Sequence, residues 1–86
     1  MQLGIVEGNA TATIKHRSLR GWKLLIVQPV DLAGRPDGEP VLTLDVLGAG
    51  RGTKVVISND GRGARELVND DTAPVRWTVV GIVDHD

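Results

Sequence analysis

The sequence predicts a small all-β domain. Short apolar segments rich in valine, isoleucine and leucine alternate with clusters of glycine, proline and aspartate, which is the pattern of short strands joined by turns. A chain of 86 residues is long enough for one compact domain with a thin core, so we treat residues 1–86 as a single domain. Five strand-like segments and one short helical segment in this length favour a five-stranded closed barrel of the OB-like type.

β-Branched residues and turn residues define the first two strands. Leu3–Ile14 keeps its strand propensity up to its last residues, and Lys15–Ser18 follows as a polar turn. The second strand covers Arg20–Val30, where Pro29 marks either the end of the strand or an edge position. Asp31–Pro40 consists largely of turn residues and predicts a loop.

The second half of the chain contains two strands around a glycine-rich corner, then a helix and a last strand. The strands Val41–Val46 and Thr53–Ser58 flank the corner Gly48–Gly52. Gly61–Val68 predicts a short helix, because Asp60 can act as its N-cap and apolar residues follow at helical spacing. The helix residues expected to face inward are Ala64, Leu67 and Val68. The last strand spans Val75–Asp84 after Pro74.

Two of these strands are apolar on both faces. In the second strand, the two sets are Trp22, Leu24 and Ile26 on one face, and Leu25 and Val27 on the other. In the fifth strand, the sets are Val75, Trp77, Val79 and Val83, and opposite them Val80 and Ile82. A small barrel has one interior, and one short helix cannot cover both outward faces. Because soluble monomers seldom expose such patches, we expect an oligomer, of a stoichiometry that this pattern leaves open.

Composition excludes several classes of function. There is no cysteine, and the two histidines, His16 and His85, are far apart, so disulfides are excluded and a Cys/His zinc site is not expected. The net charge of −1 and the scattered basic residues argue against nucleic-acid binding, as do the missing phenylalanine and tyrosine. Met1–Ala10 lacks a signal-peptide pattern, and Leu24–Val27 is far too short to span a membrane. We therefore expect a cytoplasmic protein without membrane contact.

No catalytic arrangement emerges from the candidate residues. The corner Gly48–Gly52 invites a phosphate-loop interpretation, but a strand follows it rather than a helix, so a tight structural corner is favoured. Gly61–Arg65 predicts either a helix start with solvated arginines, which is favoured, or an anion site. The residue types of a hydrolase triad are supplied by Ser18, Ser58, His16, Asp45 and Asp84, but neither serine lies in a nucleophile-elbow motif. Asp70 and Asp71 have no second carboxylate cluster nearby in sequence. We expect no enzyme activity, cofactor or metal.

Five segments resemble, in order, those of the carboxysome and ethanolamine-compartment vertex proteins, which are the pentameric shell proteins of bacterial microcompartments. The most specific is Asp45–Gly52, which resembles the signature Asp-x-x-Gly-Ala-Gly-x-Gly. Gly61–Arg65 resembles a Gly-Ser-Ser-Ala-Arg segment, with Arg62 and Gly63 in place of the two serines. The other matching segments are Leu3–Gly8, Leu19–Pro29 with its terminal Gln-Pro, and the closing strand Pro74–Val75 with Val79–Asp84.

This resemblance implies a structural protein that forms homopentamers at the vertices of a polyhedral shell in the cytoplasm, with hexameric or pseudohexameric shell proteins as neighbours. It also places the two glycine-containing motifs near subunit contacts or the axial opening. The candidate residues are Gly48, Ala49, Gly50, Gly52, Gly61, Arg62, Gly63, Ala64 and Arg65. Among these, Arg65 is expected to form an intersubunit hydrogen bond, and Gly48→Val is expected to impair assembly more than secondary structure. The alternative is an OB-like module that binds nucleic acid, an oligosaccharide or an anion.

Overall fold

Five strands close into a barrel in the order β1-β2-β3-β5-β4, and one helix packs on its outside. The computed structural model describes residues 1–10, 19, 21–70, 72 and 74–83. The elements are β1 Gln2–Asn9, β2 Lys23–Pro29, β3 Val41–Asp45, β4 Lys54–Ser58, α1 Gly61–Val68 and β5 Trp77–Ile82. This architecture confirms the predicted five-stranded barrel with one short helix.

The barrel is closed mainly by antiparallel pairing. β1 pairs with both β2 and β4, β2 with β3, and β4 with β5, all antiparallel. The remaining contact, between β3 and β5, is parallel and has only two residue pairs, Thr43 with Trp77 and Leu44 with Thr78. β5 therefore continues past the end of β3, and the pairing that closes the barrel between these two strands, which we call the seam, is short.

The interior of the barrel holds one of the two hydrophobic clusters. Leu25 and Val27 of β2 point into it, as the alternation along that strand predicts, and Val55 and Ile57 of β4 face them. All four are fully buried. The remaining members are Val6, Ala49 and Val79, with Val41 and Trp77 packed against them at partial burial.

The second cluster lies on the opposite face of β2 and β3, under α1. Leu24 and Leu44 are buried there in one cluster with Ala64 of the helix. Leu19 and Val75 complete this cluster, and Trp22 is packed against it. The outward face of β2 is thus largely covered within the chain. On β5, by contrast, Val80 and Ile82 remain 46% and 40% exposed, so the two outward faces are not both covered within the chain, as the sequence led us to expect.

Two details differ from the sequence-based expectations. Leu67 was expected to face inward from α1, but it is 47% exposed, since Ala64 and Val68 already fill the buried side of this two-turn helix. β5 also has a bulge at Val80. Val79 lies opposite Ile57 of β4 and Gly81 lies opposite Val56, so Val80 is the extra residue between the two pairs. Strict alternation along β5 therefore fails.

Element boundaries follow the prediction to within a few residues where the structure describes them. Helix α1 begins and ends as expected, and Asp60 is its N-cap. β5 begins at Trp77 rather than at Val75. The first strand was expected within Leu3–Ile14, and β1 spans Gln2–Asn9. The rest of that range beyond Ala10 and the turn Lys15–Ser18 lie outside the described residues.

A truncation of the interior cluster tests its contribution. We expect Leu25→Ala to lower the free energy of unfolding by about 3 kcal/mol, because Leu25 is 0% exposed and the resulting cavity cannot be filled by its neighbours. The control is Leu32→Ala, at a position 92% exposed, which should change it by less than about 0.5 kcal/mol. Urea unfolding at one fixed protein concentration measures both, and equal effects would contradict this assignment.

Candidate functional site

The carboxylate of Asp45 organises the corner between β3 and β4. Its side chain has 0% exposure, at the point where β3 ends. Oδ1 accepts hydrogen bonds from the backbone N–H groups of Leu47 at 2.8 Å and Gly48 at 3.1 Å, and Oδ2 accepts one from Ala49 at 2.8 Å. A buried carboxylate is stable only when its lone pairs are satisfied in this way. The three residues after Val46 therefore wrap around a single charged group.

Lys23 supplies the opposite charge and ties the corner to β2. Its Nζ lies 3.4 Å from Asp45 Oδ2 and donates a hydrogen bond to the Ala49 carbonyl oxygen at 2.9 Å. Lys23 is opposite Asp45 in the β2–β3 ladder, so the pairing of the strands brings the two charges together. The lysine side chain remains 43% exposed, and it is the exposed partner of a buried carboxylate.

Two glycines give the corner its backbone path. Gly48 and Gly52 have φ angles of +82° and +83°, a region that residues with a Cβ rarely adopt. Thr53 donates to the carbonyl oxygen of Gly50 at 3.0 Å, which closes a tight turn, and Gly52 donates to Val6 of β1 at 2.8 Å. The corner is therefore fixed to β1, β2 and β3 together, as a tight structural corner was expected to be.

This hydrogen bonding argues against a phosphate-binding loop. A phosphate loop needs free backbone N–H groups aimed at the anion. Here the N–H groups of Leu47, Gly48 and Ala49 already donate to Asp45, and those of Gly52 and Thr53 donate to carbonyl oxygens. The backbone amides of the corner instead stabilise the buried carboxylate of Asp45.

The second motif, Gly61–Arg65, forms the first turns of α1. Asp60 caps the helix by accepting a hydrogen bond from the backbone N–H of Gly63 at 3.1 Å. Arg62 is exposed and pairs with Glu66 one turn later at 3.2 Å. Arg65 is half-buried, and its side chain runs back along the helix to Gly61. This segment is a helix start, as favoured from the sequence.

The candidate residues divide into two groups. The side chains of Ala49 and Ala64 are buried within the chain, in the interior and outer clusters respectively, so neither methyl group is available to a neighbouring subunit. The residues that present backbone or side chain to the surface are Gly48, Gly50, Gly52, Gly61, Arg62, Gly63 and Arg65.

The structure brings none of the considered hydrolase residues together within its described part. Asp45 is engaged by Lys23 and three backbone amides, and Ser58 lies in β4. Outside the described residues lie His16, Ser18, Asp71, Asp84 and His85. Among the residues that are described, no group of three or more His, Cys, Asp or Glu side chains is placed to hold a metal ion. In the same part of the chain, no helix is long and apolar enough to cross a membrane.

A family model described as ethanolamine utilisation protein EutN/carboxysome matches residues 1–84. The chain belongs to this family. It is 39% identical over 84 residues to the bacterial microcompartment shell vertex protein EutN of Escherichia coli (strain K12), an alignment that covers 98% of this chain and 87% of the relative. The family resemblance carried by the sequence motifs is therefore confirmed.

Solved structures of the EutN/carboxysome family share the fold. The GrpN pentameric microcompartment shell protein from Rhodospirillum rubrum superposes with a TM-score of 0.80 at 39% identity, covering 99% of this chain and 95% of GrpN. CcmL of Nostoc sp. PCC 7120 gives a TM-score of 0.80 at 40% identity, covering 98% of this chain and 88% of CcmL. The barrel described above is thus the common fold of shell vertex proteins from different compartments.

Sequence reasoning found the family signature but missed the role of its first residue. Asp45 was given no structural role, either among the hydrolase residue types or in the signature, whereas it anchors the corner. The signal was available, since an aspartate at a strand end followed three residues later by glycine is typical of a side chain that accepts hydrogen bonds from the turn after it. The partner Lys23 could not be found without the strand register.

The contribution of Asp45 can be measured against a matched exposed aspartate. We expect Asp45→Ala to lower the free energy of unfolding by about 3–5 kcal/mol, because it leaves buried amides without an acceptor and Lys23 without its counter-charge. Asp31→Ala is the control, because Asp31 also accepts from two backbone amides and pairs with Arg35, but in an exposed loop. It should cost about 1 kcal/mol. Equal losses in chemical unfolding would contradict the anchoring role.

Proposed function

We propose that this chain assembles into a homopentamer that closes a vertex of a bacterial microcompartment shell, and that its role is structural rather than catalytic. The observation that carries the proposal is similarity over nearly the whole chain to shell vertex proteins, one of which is a pentameric shell protein with the same fold. In such a shell, its further neighbours are hexameric or pseudohexameric facet proteins, as the resemblance implies.

The distribution of exposed apolar residues supports assembly. Val46 and Leu47 are 50% and 47% exposed where the chain leaves β3, and Val80 and Ile82 are 46% and 40% exposed on β5. The pairing of β3 with β5 ends at Leu44 and Thr78. All four exposed residues follow this point on their own strands, so they lie where the two strands separate. Burial of this apolar surface against another copy would add to the thin core of a small domain.

A five-membered ring requires two different surfaces on each copy. Such an interface is head-to-tail, because a patch on one subunit meets another patch on the next. We place the surface residues of the two glycine motifs at these contacts or at the axial opening. They are Gly48, Gly50, Gly52, Gly61, Arg62, Gly63 and Arg65, with Ala49 and Ala64 holding the two segments from inside.

The oligomeric state tests the proposal directly. We expect native mass spectrometry and sedimentation velocity of the unmodified chain to give a species of five copies. Its mass would be that of five 9.2 kDa subunits. A stable monomer under the same conditions would contradict the pentamer and favour a separate binding module.

To test the glycine corner, a variant must impair assembly without impairing the folding of the subunit. Gly48→Val does not do so, because Gly48 has a positive φ and a β-branched residue there would strain the chain itself. Gly50 has no such constraint, and an added Cβ would meet only Thr53 Oγ1 at 3.9 Å. We expect Gly50→Leu to change the unfolding free energy of the subunit by about 0.5 kcal/mol or less while preventing the ring from closing.

The matched control for this variant is Gly8→Leu in β1, where an added Cβ also meets open space and φ is ordinary. Circular dichroism reports the fold, and sedimentation velocity reports the assembly. Gly8→Leu should remain pentameric. If Gly50→Leu also remains pentameric, the corner does not lie at a subunit contact.

A further inference from the structure

Two aspartates of the chain are followed directly by glycine. Asp37 lies in the loop between β2 and β3, and Asp60 lies at the start of α1. In such a pair the backbone nitrogen of the glycine can attack the carboxyl group of the aspartate and close a five-membered ring. Glycine favours this reaction, because it has no side chain to obstruct the attack. In a folded protein the carboxyl group and the intervening peptide group must also be free to move.

The peptide group between Asp37 and Gly38 is free in this sense, although the groups on either side of it are anchored. The backbone N–H of Asp37 donates to the carbonyl oxygen of Pro29 at 2.8 Å. The carbonyl oxygen of Gly38 accepts from Nε2 of Gln28 at 2.9 Å. Between these anchors, the Asp37 carbonyl and the Gly38 N–H form no hydrogen bond with any described residue. The connecting peptide can therefore rotate without breaking a hydrogen bond of the loop.

The carboxyl group of Asp37 is also free to move. Asp37 and Gly38 are both exposed, and the Asp37 side chain has no ion pair or hydrogen bond to a described residue. A Cβ added to Gly38 would meet no atom within 4 Å, so the loop leaves open space beside the glycine. Asp31 of the same loop differs, because its carboxylate accepts from two backbone amides and pairs with Arg35.

Asp60 has the same sequence neighbour but is restrained at both reacting groups. Its carboxylate accepts from the backbone N–H of Gly63 at 3.1 Å as the N-cap of α1. Its carbonyl oxygen accepts from the backbone N–H of Ala64 at 3.0 Å, which is the first hydrogen bond of the helix. Ring closure takes the carboxyl group away from the cap and rotates the peptide group, so both hydrogen bonds are lost. Formation of α1 therefore protects this site.

We propose that Asp37 is a site of spontaneous isoaspartate formation in the folded chain and that Asp60 is protected from it. The Gly38 nitrogen attacks Cγ of Asp37, an N–C bond forms, a C–O bond of the carboxyl group breaks, and one water leaves with the amide proton. Water then opens the resulting succinimide at either carbonyl. Opening at the main-chain carbonyl leaves the backbone running through the side chain, with no net change in mass or oxidation state. Opening at the other carbonyl regenerates aspartate.

The modification changes the loop between its two anchors. Isoaspartate adds one carbon to the backbone path from the Asp37 N–H to the Gly38 carbonyl. The hydrogen bonds to Pro29 and Gln28 cannot both keep their present geometry over this longer path, so the loop rearranges. Asp37 belongs to neither hydrophobic cluster, and we expect the barrel to be unchanged.

The experiment compares the two Asp-Gly pairs within one molecule. The folded chain is incubated at neutral pH and digested, and isoaspartate is quantified by methyl transfer from labelled S-adenosylmethionine with a protein isoaspartyl methyltransferase. Electron-transfer fragmentation of the peptides locates the modified residue. We expect isoaspartate to accumulate about fivefold or more faster at Asp37 than at Asp60, which is the protection that one helix cap provides. Equal rates in the folded chain, or a faster rate at Asp60, would overturn the proposal.

The same chain unfolded in urea separates the effect of structure from that of sequence. Without the helix cap, the rates at Asp37 and Asp60 should become comparable. If Asp60 remains slow in urea, the difference comes from the neighbouring sequence and the structural argument is wrong. These measurements are read at single residues, so their failure leaves the proposed pentamer untouched.

Two variants at position 37 control for the mechanism, and circular dichroism verifies that both are folded. D37E keeps the charge and the exposure, but its ring would need six members, so the signal at this position should disappear. D37N reacts through the same five-membered ring with loss of ammonia instead of water, and it should react faster than the unmodified chain. A folded D37N that does not react would show that the loop holds the peptide group rigid, which also overturns the proposal.

Discussion

The buried carboxylate of Asp45 is the interaction on which the rest of the described structure depends. A charge in the protein interior is tolerated only when its surroundings satisfy it, and here three consecutive backbone amides and Lys23 do so. To supply those amides the chain must turn sharply at the end of β3, which brings Ala49 into the barrel interior. The same turn leaves Val46 and Leu47 on the outside. One ion pair thus links the strand ladder, the interior and the outer surface.

The barrel compensates for its small interior with a second hydrophobic layer. A short chain buries a smaller fraction of its surface than a long one, so a single cluster contributes little stability. The outer cluster, which includes Ala64 of α1, gives Leu24 and Leu44 a buried environment of their own. Four of the apolar side chains that remain exposed, Val46, Leu47, Val80 and Ile82, lie at the seam where β3 leaves β5.

The two motifs of the family signature perform different physical tasks. The corner after β3 has its amides occupied and its alanine inside, so it is a rigid backbone surface. The start of α1 is instead a capped helix end, where Arg62 pairs with Glu66 and the Arg65 side chain lies against Gly61. A rigid, nearly side-chain-free surface suits close approach of another backbone, whereas the helix end presents charged side chains. Both are properties of contact surfaces, and neither supplies a nucleophile or a general base.

The sequence by itself determined the all-β class, the number of strands, the limits of α1 and the family, because periodicity, turn residues and the Asp45–Gly52 signature are local properties. It misjudged features that depend on strand register and on which helix residues face the barrel. The bulge at Val80 broke the alternation of β5, and Leu67 proved exposed. The partnership of Lys23 with Asp45 was decided only by the tertiary structure. The physical reason is the same in each case: which residues meet across a barrel is set by strand register and helix placement, which no local pattern encodes.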